Sequence, residues 1–539
     1  MKKILSSVTA LLLTAGALTG CSSTAASDKT AGGNGGSAES EDTITIAVTD
    51  ELSVVDPIHG YSDQADAILM QVAEGLFEFD SNNQVQPFLA ESYEHPDQTT
   101  YIYKIRDDVT FSDGNKLTAD DVVFSLERHR DTSNPSELAW MFDNVDTIEK
   151  TGDYEVTVKL KAPDSMWQNS LSTSAGLVIE KAYFEEHAED FGTAQGGIIG
   201  SGPYVVSEWE PGEEIVLTAN EQYWDKDLSL DFNKLVYKNI PDESVTKLSL
   251  ESGQVDIAFS LSPDSLKEVE NYENVNIDSV DMFLTYFVSF NTTKKPFDDV
   301  NVRKAVAYAI DKKSLAEALY NNKFGVYGKS LPFERTIEPD TPEWNAFFDS
   351  LDEYSYDPEK AKEYLAKSSV PNGFDATLSY ELSSEGESVV LAIQQDLAQI
   401  GINITLEGLT HADLLTQRYG GSETRTYELL YTAWGSDYPD PVGAIQPMFV
   451  STNNGAGGSN WFEYNNPEFD KLMQQQSAAE GEERDEIIKK SLTILSDEIP
   501  DVPVVSPYRN IAVNKRLDYK FSNMMLYNVH FKDVKKAKN

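Results

Sequence analysis

Cysteine is almost missing from this chain: one residue, Cys21, in 539. A disulfide framework within the chain is therefore excluded, and stability has to come from buried apolar surface. Long apolar runs are missing as well. The stretch from Val8 to Leu18 falls far short of the roughly 20 residues a bilayer-spanning helix needs, and no later run reaches that length. Histidine is scarce and scattered: His59, His95, His129, His187, His411 and His530 show no H-x-x-x-H or comparable spacing, so no metal or other cofactor is expected. There is no G-x-S-x-G elbow and no G-x-x-x-x-G-K-[ST] loop, and the pieces GGNGG and GAGGS lack the strand-and-helix context of a phosphate cradle. Close pairs of Asp and Glu occur, but 90 acidic residues supply them by chance. No catalytic residue is assigned. Positive charge is also short, with 43 basic residues against those 90 and a net charge of -47. Such a field repels nucleic acid and anionic lipid.

What is present begins at the amino terminus. MKKILSSVTALLLTAGALTGC joins Lys2 and Lys3 to a short apolar core and small residues, the pattern of a secretory signal. Leu18-Thr19-Gly20-Cys21 resembles a bacterial lipobox, which makes residues 1–20 a lipoprotein signal peptide and Cys21 the lipidated first residue of the mature protein. Residues 22–43 are rich in Ser, Thr, Ala and Gly without an apolar period, so with Cys21 they form a flexible tether with a reach of about 25 Å.

The remaining chain, 40% hydrophobic overall, is too long for one core, and two or more domains are expected. TITIAVTD alternates as a strand and VVDP breaks it; QADAILMQVAEGLFEFD reads as a helix running into a strand at Gly75. In LTADDVVFSLERHRD, Thr118 and Asp121 stand at the cap and third helical positions, with Val122 and Leu126 on the buried stripe. NVRKAVAYAIDKKSLAEALYN is expected to be one helix and YDPEKAKEYLAKS a helix with proline in its first turn. FDATLSYEL, ESVVLAIQQDLAQIG and INITLEGL alternate strand, helix and strand, which implies a largely parallel sheet covered by helices. YELLYTAW then leads as a strand into WGSDYPDP, residues 434–441. In open α/β sheets ligands gather at the carboxyl ends of strands. Asp437 is therefore either a turn residue or a rigidly held carboxylate facing a cation, and Trp434, Gly435, Tyr438 and Trp461 are candidates for a cleft wall.

PFLAESYEHPDQTTYIYKIRDDVTFSDGNKLTADDVVFSLER, GSGPY, QYW, LESGQVDIA, FNTTKKPFDDVNVRKAVAYAID, YDPEKAKEYL and WGSDYPDP, in that order, resemble the extracellular solute-binding proteins, family 5, of peptide-importing ABC transporters. The similarity covers about residues 44 to 515. It implies an α/β, two-lobed, periplasmic-binding-protein-like fold with a cleft between the lobes and an extra domain inserted in the first. Lobe I would combine 44–74, 203–290 and 502–539, the inserted domain 75–202 and lobe II 291–501, with crossings near Phe290 and Val502. The implied function is capture of extracellular oligopeptides by a monomeric, lipid-anchored protein outside the cytoplasm and their delivery to ABC permease and ATPase subunits. Asp437 would pair with the ligand's α-amino group, and Asp440 would brace the loop. Dipeptide-specific relatives carry an arginine after the strand that here reads TLSYEL, but this chain continues SSEGES. Arg335, Arg418 and Arg425 are the candidates to replace it, and longer oligopeptides are favoured.

The alternatives are another solute (dipeptide, nickel chelate, haem or oligosaccharide), a peptide-pheromone receptor, or a secreted peptidase. A neutral sugar has no use for a buried anion. A nickel chelate would want histidine, and only His411 lies in a plausible region. Replacing Cys21 tests the anchor: Cys21→Ala should move the protein from the membrane fraction to the medium or periplasm, and retention in the membrane fraction would refute lipidation.

Overall fold

The computed structural model describes residues 42–538 apart from 50, 60–61, 81, 260, 332–340 and 522–528. The signal, Cys21, nearly all of the tether and Arg335 lie outside the described residues. The largest element of structure is a 12-stranded mixed sheet. Parallel pairing joins Thr43–Val48 to Lys234–Asn239 and to Ile257–Ala258, and joins Phe374–Glu381 to Ile402–Leu409 and to Leu429–Gly435. Its other pairings are antiparallel, so the expected parallel sheet is confined to local groups of strands.

One strand, Asp501–Asn514, makes the sheet continuous. Its carboxyl half pairs with Val275–Asp281 in the register Val275↔Asn514 to Asp281↔Tyr508. Its amino half pairs with Leu284–Phe290, Ser289 facing Asp501 and Tyr286 facing Val505. The change of partner falls at Asp281–Leu284 on one side and Val505–Tyr508 on the other. The reason is local. Phe283 takes a left-handed φ of 52°, which breaks the ladder there, and Leu284–Phe290 then pairs along its whole length with Leu429–Gly435.

Helix boundaries follow their caps. Thr118 and Asp121 form the expected capping box of Ala119–Arg128, and Pro358 opens Pro358–Lys367 behind the cap Asp357. The expected single helix after Asn301 is two, Val300–Ala309 and Lys312–Tyr320. Asp311 divides them, because its carboxylate accepts the Ser314 amide at 3.1 Å and so starts a new helix.

Two of the motifs quoted above meet at one carboxylate. Glu74 accepts hydrogen bonds from Ser201 of GSGPY and from Tyr223 and Trp224 of QYW, each at 2.8 Å. A second tie is the buried Arg128–Asp56 pair, bidentate at 2.7 and 2.9 Å, with the guanidinium 4.3 Å from the Phe184 ring centre. It fastens the VVDP segment to helix Ala119–Arg128. Removing one partner of such a pair would strand a buried charge, which costs about 3 to 5 kcal/mol.

Buried apolar residues fall into four clusters. One covers the Thr43–Val48 region; two cover opposite faces of the strands around Leu429–Gly435. The buried members of the fourth run from Leu76 to Val178, with a single addition from elsewhere, Tyr438.

The start of the long strand carries a titratable group. Burial raises the Asp501 carboxyl to about 8 from its ordinary 3.8, and its Oδ1 has no hydrogen-bond partner among the described residues. Between those values the folded chain binds more protons there than the unfolded chain, so this contribution to stability is present at low pH and lost as pH rises through the window. Buried His129 and His530, lowered to about 3, act in the opposite sense but only below their ordinary 6.5. Asp501→Asn should therefore raise the melting temperature at pH 8.5 more than at pH 6.5, as read by calorimetry at both values.

Candidate functional site

Strand Leu429–Gly435 delivers the WGSDYPDP loop to the place where the sheet halves exchange partners: Gly435 pairs with Leu284, and the Ser436 amide donates to the Phe283 carbonyl at 3.2 Å. The loop is then fixed residue by residue. Ser436, buried, donates its hydroxyl to the Tyr438 carbonyl at 2.6 Å. Tyr438 is 3% exposed, its hydroxyl is hydrogen-bonded to Ser170 at 2.8 Å, and its ring lies 6.1 Å from that of Trp140. Asp440 caps helix Pro441–Phe449 by accepting the Val442 amide at 2.8 Å. Its carboxylate also takes a bidentate pair from Arg484 at 2.9 and 3.0 Å. Gly443 is required behind the loop, since a Cβ there would stand 2.7 Å from Tyr438 Cδ2.

Asp437 is the half-buried residue between these anchors, and it has contacts of its own. Its backbone is held on both sides, so a cation meeting its carboxylate meets a preformed acceptor, and little ordering entropy is lost on binding. Asp440 is committed to the cap and to Arg484, which suits a brace.

The profile of the bacterial extracellular solute-binding proteins, family 5 Middle, matches residues 84–456. This chain belongs to that family. The solute-binding protein is similar to the glutathione-binding protein GsiB of Escherichia coli strain K12, with 26% identity over 466 residues that span 86% of this chain and 88% of GsiB. Among solved structures it is similar to DppA of Helicobacter pylori in complex with peptide STSA, at 24% identity and a TM-score of 0.74, covering 92% of this chain and 98% of that one. It is likewise similar to the oligopeptide-binding protein AppA of Bacillus subtilis in complex with a nonapeptide, at 23% identity and a TM-score of 0.71, covering 92% and 99%. The fold is thus the α/β, two-lobed, periplasmic-binding-protein-like one.

In this solute-binding protein the candidate side chains separate. Trp434 is half-buried and meets Trp461 edge to face, with ring centres 5.3 Å apart. Trp461 is 0% exposed and belongs to the core under the loop, so it is not cleft wall. Nor is Tyr438, whose ring packs into the Leu76–Val178 cluster. Arg425 is excluded as a ligand partner by geometry. Its side chain is sealed from solvent and donates to the carbonyls of Asn454, Asn460, Arg418 and Gly458 and to Glu463. Arg418 differs. Its guanidinium lies 3.7 Å from the Trp461 ring centre and bonds the Tyr419 hydroxyl at 3.3 Å; its Nε is buried without a partner. Burial lowers its pKa, and among the described residues no carboxylate lies within ion-pair distance. His411, exposed, is bonded to Glu381 at 2.8 Å.

SSEGES opens a helix, Ser384–Ala398, capped by Ser383 and carrying Glu385 and Glu387 in its first turn. Glu385 accepts the Tyr320 hydroxyl, and acids are well placed at a helix start. Ser170 and Arg484 had no local signal: each is distant in sequence from the loop it holds, and a lone serine or arginine on a helix carries no mark of its partner.

Proposed function

We propose that this protein is the substrate-binding lipoprotein of an ABC importer. It captures extracellular oligopeptides in the cleft between its lobes and delivers them to the permease and its ATPase subunits. The observation that carries the reading is Asp437, a carboxylate on a loop pinned at Ser436, Tyr438 and Asp440, beside the crossing of the two lobes. An α-ammonium group entering a cleft loses water and needs a fixed opposite charge, and a charge-assisted hydrogen bond supplies it. In this reading residues 75–202 are a domain inserted in lobe I, and residues 291–501 are lobe II. The rest of a peptide would pair through its main chain as an added strand, with side chains in tolerant, hydrated pockets.

Glutathione, peptide STSA and a nonapeptide are the ligands named for the three similar proteins. All offer amide backbone, and they differ in length. The acidic first turn of Ser384–Ala398 supports the longer end of that range, because a ligand carboxylate ending there would meet Glu385 and Glu387. Arg418, stacked on Trp461 without an acidic partner, is the remaining described cation for a carboxylate.

Protein purified without refolding, then denatured, should release a ladder of mixed peptides readable by mass spectrometry. A single species such as glutathione, or a metal complex, would keep the fold and replace the ligand. Asp437→Asn should weaken binding of a free-amino peptide by about 1.5 to 3 kcal/mol, the range for a hydrogen bond to a charged group; an unchanged dissociation constant by calorimetry would place the ammonium site elsewhere. Arg418→Ala should cost short peptides more than pentapeptides, and equal losses would remove its carboxylate role.

A further inference from the structure

Tyr438 is out of place by sequence. It follows the carboxylate of the ligand loop, yet it is the one buried member of the Leu76–Val178 core that comes from outside that stretch. The partner it reaches is itself held. Ser170 ends the short helix Trp167–Ser170, whose Trp167 is 1% exposed and donates its indole Nε1–H to the Tyr103 hydroxyl at 2.9 Å in the same core. A continuous chain of contacts therefore runs from Tyr103 through Trp167, Ser170 and Tyr438 to the backbone of Asp437.

The surroundings show how much depends on that chain. Beside it the two bodies stand apart around a cavity of about 420 Å³, lined among others by His95, Asp164, Gln168, Asp440 and Arg484. At about 30 Å³ per molecule, a space of that size accommodates on the order of a dozen waters. Among the described residues isolated bonds pass across it, Ser165 to Gln476 at 3.0 Å and Gln98 to the Ala478 carbonyl at 3.2 Å. The dry part of the contact is the Tyr438 ring and hydroxyl together with Met166, which packs against the apolar clusters of both bodies.

We propose that Tyr438 and Ser170 form a strut through which the Leu76–Val178 body sets the position of the Asp437 carboxylate, making that body part of the apparatus that recognises a peptide's amino terminus. Tyr438 is a positioning residue here. It acts through Asp437, and the inference rests on the ammonium role of that carboxylate. The strut works by preorganisation: without the hydroxyl pair the loop keeps its Ser436 and Asp440 anchors but loses its fixed point next to Asp437, so part of the ammonium bond is spent on reordering it.

The test is calorimetric titration of the mature protein with pentaalanine and with N-acetyl-pentaalanine. Wild-type protein should prefer the free-amino peptide. Tyr438→Phe, which keeps the ring, and Ser170→Ala should each weaken pentaalanine binding about fivefold, the value of one neutral hydrogen bond, and leave the acetylated peptide unchanged. The double variant should lose no more than either single one, and Ser170→Thr, which keeps a hydroxyl, should recover most of the preference. Equal weakening of both peptides would make the pair merely structural and overturn the inference, as would variants with undiminished preference. Wild-type protein that binds both peptides alike, or neither, would instead remove the ammonium reading itself.

Discussion

The architecture hangs on one run of backbone hydrogen bonds. Asp501–Asn514 is the only element that shares ladders with both halves of the sheet among the described strands. Apolar packing crosses between the halves as well: one cluster joins Ala47, Ala258 and Val275 to Val288, Val306 and Tyr431. The strand supplies the hydrogen-bonded connection, and the left-handed Phe283 lies where its partners change. The WGSDYPDP loop is attached at that same place through Ser436 and Phe283, so on the proposed reading a change in the angle between the halves would be felt by the residues around Asp437.

The electrostatics follow a consistent division. Most acidic residues are on the surface, where a net charge of -47 keeps the body soluble. Arg128 with Asp56 and Arg425 with Glu463 are buried pairs, Arg516 with buried Asp256 a partly exposed one, and buried Arg303 and Lys312 donate to backbone carbonyls. Each of the three pairs ties segments far apart in sequence. Arg418 rests on an aromatic face, its guanidinium 3.7 Å from the Trp461 ring centre, and differs from those three pairs in having no ion pair among the described residues.

Local order was legible from the residues. Thr118 with Asp121 and Asp357 with Pro358 announced their helices, because caps act over three or four positions. Asp311 was also a cap, but it sat inside a continuous apolar period, which hid the break. The exchange of strand partners had no local signal, because the strand Leu284–Phe290 is largely apolar and gives no sign of which half it pairs with. At the site, Asp437 and the bracing role of Asp440 could be approached from a dense cluster of Asp, Pro and aromatics. The fates of Tyr438, Trp461 and Arg425 could not, since an aromatic or an arginine looks the same in sequence whether it faces a ligand or a core. GSGPY and QYW converge on Glu74, and without its three donors that buried carboxylate would have nothing to satisfy it.

A loop pinned on both sides of a single carboxylate has a consequence for how a variable polymer is read. If Asp437 holds the amino terminus as proposed, it sets an origin. Whatever the number of residues in a bound chain, its first residue would occupy the same coordinates, and every later side chain would be counted outward from there. Differences in length would then be absorbed at the far end alone. A receptor with a fixed zero and an open scale can accept many sequences without letting any of them slide in register.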